Sequence, residues 1–228
     1  TVPDPTTFVE AWAIIEKYGL YGKAPASILA YLEQGLRGKV PETPKPDDPA
    51  FQRVVNLIVG SNIQALLAAK AEAEALGFHT LILSSSIEGE AKEVAKVHGA
   101  IAREVRRTGN PLPPPACLLS GGETTVTVKG RGVGGRNQEF VLAAAIEIEG
   151  LPSTIIFSAG TDGSDGPTDA AGAVASGETI PRARALGLDP FRSLEENDSY
   201  YFFQQLGDLI ITGPTNTNVM DLRLILVG

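Results

Sequence analysis

The chain has 228 residues, a hydrophobic fraction of 43%, a charged fraction of 20% and a formal net charge of −8, so it can bury a full core, while its acidic balance argues against a nucleic-acid partner. A single cysteine, Cys117, excludes an internal disulfide and a cysteine zinc cage, two histidines leave little for a His-rich metal centre, and no apolar run reaches bilayer-spanning length. A cytoplasmic protein with no membrane partner is the expectation.

In chain order, residues 6–18 place Phe8, Trp12 and Ile15 on one helical face, with Thr6 or Thr7 to cap and Gly19 to stop. A second helix is expected over 25–37, begun by Pro25. Segment 39–50 holds four prolines and reads as an extended linker. The boundary is therefore drawn after residue 40, with a short helical tail over 1–40 and an α/β domain over 41–228. Strands are expected at 54–60, 79–85, 116–120, 124–128, 153–159, 208–212 and 221–227, and helices at 62–77, 89–107, 137–148, 179–187 and 198–206. Near-continuous apolar strands alternating with helices predict a Rossmann-like layered fold with a mostly parallel sheet covered on both faces. In such sheets ligands bind beyond the carboxyl ends of strands.

Four loops at those ends carry candidate chemistry. Gly60-Ser61-Asn62 opens a helix, where free N–H groups suit either an N-cap or an anion. Ser120-Gly121-Gly122-Glu123 pairs glycines able to take positive φ with a carboxylate, as an ordinary turn also would. The run from Lys129 to Glu139 fits G-x-G-x-x-G through Gly130, Gly132 and Gly135, but no acidic residue follows at the distance a ribose needs, and the P-loop signature is absent. Arg136 at the start of the next helix sits against the helix dipole, so an anion clamp explains it better than a structural role. The loop from Ala159 to Ala170 places Asp162, Asp165 and Asp169 among three glycines, which suits a hard cation or a solvated acidic turn. A fifth segment, Thr212 to Asn218, offers hydroxyl and amide donors. Cys117, His79 and His98 read as structural residues.

Taken together, GGETTVTVKGRGVGGRNQEF, FSAGTDGSDGPTDAAGA, NDSYYFFQQLGD and TGPTNTNVMDL resemble the glycerate 2-kinase family, whose C-terminal region is the MOFRL domain and some of whose members carry the label hydroxypyruvate reductase. The opening TVPDPTTF and VVNLIVGSN are similar to the same family. The resemblance implies two α/β domains with the active site between them, phosphorylation of the 2-hydroxyl of D-glycerate to give 2-phosphoglycerate, ATP as donor and Mg²⁺ as cofactor. It further implies that this chain is the C-terminal half, with its MOFRL region at about 116–228. The partner would be a missing N-terminal domain that carries an active-site lysine, and turnover would be negligible without it. A homodimer is compatible with it. Carried over by position, Arg136, Asp162 and Asp165 are expected to be catalytic, with Asp162 and Asp165 also as metal ligands. Substrate or phosphate contacts are expected from Asn62, Glu123, Gly134, Gly135, Asn137, Glu139, Thr168, Asp169 and Asn218. Asn216 stands where relatives commonly have glycine. Two other readings stay open, an NAD(P)H-dependent hydroxypyruvate reductase and a non-catalytic binding half.

Overall fold

The first helix forms where threonine can cap it. In the computed structural model, which describes residues 2–228, the Thr7 hydroxyl accepts from the Glu10 amide and the Glu10 carboxylate accepts from the Thr7 amide, a closed capping box for α1 (Phe8–Lys17). The second helix, α2 (Ala26–Leu36), begins after Pro25. Segment 39–50 is extended over 41–45 only, turns at 46–47 and enters a 3-10 helix at Pro49–Phe51; it is tied back to the chain start, with the Thr43 hydroxyl donating to Asp4 at 3.0 Å. These elements belong to one compact unit, Thr1–Val59, and the rest of the chain forms a second, Gly60–Gly228. The strand expected at 54–60 is absent. An extended apolar segment needs a neighbouring strand for its backbone groups, and no described strand pairs with this one, so Val55 and Leu57 stand 89% and 80% exposed.

The second unit alternates strand and helix: α3 (Asn62–Ala75), β1 (His79–Ile87), α4 (Ala91–Thr108), β2 (Ala116–Gly122), α5 (Arg136–Glu147), β3 (Thr154–Gly160), β4 (Gly172–Ser176), α6 (Thr179–Ala185), α7 (Pro190–Glu195), α8 (Ser199–Leu206), β5 (Leu209–Ile210) and β6 (Asp221–Val227). The sheet order is β1-β2-β6-β3-β4-β5. The α/β layering holds, but the expectation of a mostly parallel sheet is corrected to a mixed one. Only β1 and β2 pair in parallel, and the other four neighbouring pairs are antiparallel. Two of these come from β6, the last strand, which enters between β2 and β3 and runs against both, and two from β4, which runs against β3 and β5. Burial on both faces gives a strand the same apolar look whichever way it runs. The strand expected at 124–128 shrinks to one bridge, Glu90 to Thr125.

β6 shows how the layers are assigned. Its odd-numbered residues from Asp221 to Val227 are buried, with Ile225 and Val227 in the large core under α4, α5 and α8; Leu222, Leu224 and Leu226 face the smaller cluster under α3. No helix among the described residues is long and apolar enough to cross a membrane. The expected loop at 120–123 is corrected, since Ser120–Gly122 pair with β6 as the end of β2; the segments at 123–135, 161–171 and 211–220 meet at the end of the sheet where β2 and β3 finish and β6 begins.

Candidate active site

The first turn of α5 is the centre of that end of the sheet. Gly135 is its N-cap and offers no side chain, so the cap comes from a distant loop: the Asp165 carboxylate accepts from the backbone amides of Asn137 and Gln138 at 3.0 and 2.9 Å and from both side-chain amides at 3.2 and 3.1 Å. A carboxylate on a helix N-terminus is also favoured by the dipole. Burial pushes the Asp165 carboxyl above its usual pKa, opposed by those donors. Gly135 must be glycine because a Cβ there would lie 2.3 Å from Asp165 Cγ. Thr168, expected at the substrate, braces this cap instead, accepting from the Gln138 side chain at 3.0 Å and donating to the Asp165 carbonyl at 2.8 Å.

Asp221, at the head of β6, holds the next layer and was missed by the sequence reading. Its carboxylate accepts from Arg136 Nε and Nη2 at 2.8 and 2.9 Å, from Asn137 Nδ2 at 3.0 Å and from Arg223 Nη2 at 3.0 Å, and it is fully buried. Arg223 also donates to Thr124 Oγ1 at 3.1 Å and lies 5.3 Å over the Phe140 ring. The Asp221 carboxylate raises the Arg136 pKa, while burial pulls that of Arg223 down. The available signal was in DLRLILV, where Asp221 and Arg223 share a face with Ile225 and Val227. Two charges on the buried side of a strand call for each other.

Arg136 therefore has a structural role that the sequence argument discounted: Asp165 and Asp221 neutralise its position at the helix start. One edge of its fork remains. Nη1 lies 3.2 Å from Glu123 Oε1, at the wall of a crevice of about 570 Å³. Five expected site residues border that crevice, namely Glu123, Gly134, Gly135, Arg136 and Glu139; Thr124, Thr125, Val126, Val128, Pro167 and Asn197 are among the other lining residues. Glu139 is 2% exposed; its Oε2 accepts from Asn197 Nδ2 at 2.8 Å, and its Oε1 has no hydrogen-bond partner among the described residues. Burial raises the Glu139 pKa, with the Asn197 contact opposing.

The other expected residues lie elsewhere. Asn137 is fully buried; its amide nitrogen bridges Asp165 and Asp221 and its oxygen accepts from Ser158, which leaves nothing for a substrate. Asn62 turns inward and donates to the Val219 and Asp221 carbonyls at 2.8 and 2.9 Å, so it ties α3 to β6 rather than presenting an anion site. Asp169 accepts from the Tyr200 hydroxyl at 2.8 Å. Asp162 accepts from the Ser164 amide at 3.0 Å and from Asn218 Nδ2 at 3.4 Å, in a loop beside a second concavity lined by Ser61, Thr161, Thr215 and Thr217. The expected metal pair thus does not form: Asp165 is saturated with N–H donors, Asp162 does not border the crevice, and no group of three or more metal-ligating side chains converges among the described residues.

The glycine run is accounted for by packing. A Cβ on Gly130 or Gly132 would lie 2.2 Å from the Glu196 backbone oxygen or 2.4 Å from Asp198 Cβ. The loop is laced to that segment, with Asn197 Oδ1 accepting from the Lys129 and Gly130 amides at 2.8 and 3.0 Å. Asn216 takes φ +59, a conformation that asparagine tolerates.

Comparison with known proteins agrees with this architecture. Residues 116–221 match the MOFRL family. The chain is 43% identical to a glycerate 2-kinase of Pyrococcus horikoshii, over 100% of this chain and 51% of that protein. It is 44% identical to an Agrobacterium vitis protein labelled hydroxypyruvate reductase, over 100% of this chain and 50% of that one. The crystal structure of a glycerate kinase from Thermotoga maritima superposes with a TM-score of 0.80 at 41% identity, over 99% of this chain and 51% of that chain. The chain spans about half the length of the curated relatives it matches; over that length it is similar to proteins named glycerate 2-kinase, and residues 116–221 match the MOFRL family.

Proposed function

We propose that this chain contributes the Arg136 crevice to a glycerate 2-kinase. The reaction moves the terminal phosphoryl group of ATP to the 2-hydroxyl oxygen of D-glycerate: an O–P bond forms, the bond to the bridging oxygen of ADP breaks, and the hydroxyl proton is released. The observation that carries this reading is the Arg136 fork, locked on Asp221 by two hydrogen bonds with Nη1 left at the crevice wall. Phosphoryl transfer depends on positioning and charge neutralisation more than on covalent chemistry. A guanidinium fixed from behind supplies both without reorganising when the anion arrives. The anion, a glycerate carboxylate or the transferring phosphoryl group, competes with Glu123 for Nη1.

Mg²⁺ would neutralise charge on the ATP phosphates when bound. Of the expected pair, Asp165 is committed to N–H donors and Asp162 does not border the Arg136 crevice, so neither fits a Mg²⁺ bound there by this chain alone. The remaining groups, including the lysine implied by the family resemblance, would come from the other half of the kinase. The reductase reading draws no support from the glycine loop, since its glycines are required by contacts with residues 196–198 and Asp165.

The test is Arg136→Ala and Arg136→Lys in the natural full-length polypeptide, assayed by ADP release with D-glycerate. Activity should fall by about a hundredfold or more in Arg136→Ala, with little rescue in Arg136→Lys because the ammonium cannot hold Asp221 with a fork. A loss under threefold removes Arg136 from the mechanism, and NADH consumption with hydroxypyruvate would favour the reductase.

A further inference from the structure

We infer that Glu139 is a specificity-determining residue that accepts a hydrogen bond from a hydroxyl of a short hydroxy acid whose carboxylate lies at Arg136. This deepens the reading just given and rests on it. The observation is the Oε1 atom of Glu139, which is buried at the crevice wall with no donor among the described residues, while Oε2 is held by Asn197. A buried carboxylate oxygen left unpaired is costly, so a site that keeps one is built for a donor that arrives with the ligand. Asn197, which also lines the crevice, holds the other carboxylate oxygen, and its own oxygen is pinned by the Lys129 and Gly130 amides, so the acceptor is held in place before binding.

Helical spacing supplies the rest. Arg136 and Glu139 are three residues apart in the first turn of α5 and both border the crevice, which puts their Cβ atoms about 5–6 Å apart on one face. A cation and a bare acceptor on one crevice wall suit a small molecule that carries both a carboxylate and a hydroxyl. Val126, Val128 and Pro167 give the crevice apolar side chains, while Thr124, Thr125 and Asn197 also line it. A carbonyl in place of the hydroxyl brings a second acceptor against Glu139, so the pair of residues separates hydroxy acids from keto acids.

The experiment is a calorimetric titration of the full-length polypeptide and its Glu139→Gln variant with D-glycerate, D-lactate, 3-hydroxypropionate and propionate, which share the carboxylate and differ only in hydroxyls. In the parent protein, removal of the recognised hydroxyl should weaken binding by about tenfold to a hundredfold; in Glu139→Gln the same removal should cost less than about threefold. The carboxyl carbon of Glu139, followed by NMR in the parent protein, should shift with glycerate and not with propionate, a readout that does not depend on the variant folding. If every hydroxyl deletion costs the same in both proteins, or the Glu139 signal does not distinguish the ligands, the assignment of Glu139 is overturned while the Arg136 reading stands. If no member of the series binds the parent protein, the Arg136 reading falls and takes this inference with it.

Discussion

Behind the first turn of α5, Asp165, Asn137 and Asp221 are shut off from solvent, and both polar ends of Asn137 are engaged; in front of it, Glu123, Arg136 and Glu139 border a crevice and leave an edge or an oxygen uncommitted. The two sides draw on the same carboxylates, amides and guanidinium groups. What separates them is access to the crevice. The sealed cluster keeps unpaired atoms of its own, Arg223 Nε and Nη1 and Gln138 Oε1, but does not border the crevice, and it fixes the fold. An atom left over at a concave wall is available to a ligand. Arg136 belongs to both sides, with two nitrogens committed to Asp221 and the third next to half-exposed Glu123.

The most severe way to break this contrast is Asp221→Ala. It strands two cations, one of them the fully buried Arg223, and should destabilise the chain by about 3–5 kcal/mol in denaturant unfolding. A loss below about 1 kcal/mol would mean that the sealed cluster is not an ion-paired core.

A second probe uses His98, which lies on the sealed side. Its ring contacts Phe140, its Nδ1 donates to the Val94 carbonyl and its Nε2 accepts from Ser120, and burial pushes its pKa down to about 4 from 6.5. Below pH 6.5 the unfolded chain binds a proton at this residue and the folded chain does not until about pH 4. Stability should therefore be flat above neutrality and drop by about 3 kcal/mol across that window. His98→Gln should lack that component of the slope; parallel stability curves for the two proteins would show that His98 is not held neutral.

The gentlest probe is on the open side. Glu123→Gln changes a side chain that is 55% exposed, so stability should move by less than about 0.5 kcal/mol. An effect as large as that of Asp221→Ala would erase the distinction between the two sides.

Much of the alternation of strand and helix in the second unit could be read from residue spacing, and five of the expected site residues do meet at one crevice. Short elements escaped. β4 is GAVAS, too poor in branched residues to announce a strand, and α7 has six residues although Asp189-Pro190 is a cap followed by a favoured first-turn proline. The apolar run at 54–60 was misread because residue preference reports fitness for a sheet and says nothing of whether a partner strand exists. Asn137 and Asp165 looked like ligand-binding residues for a related reason. Sequence gives their chemistry but not which neighbours use it up. Asp221 was overlooked because an acid at the head of a strand looks like a solvated end, and only the register with β2 and β3 places it inside.

The most direct test of the whole account is a crystal structure of the natural full-length polypeptide with D-glycerate bound. The account predicts the glycerate carboxylate or a phosphoryl oxygen within hydrogen-bonding distance of Arg136 Nη1 in the crevice bordered by Glu123 and Glu139. Glycerate seated in the Ser61–Thr217 concavity, with Arg136 still engaged only by Asp221 and Glu123, would contradict it.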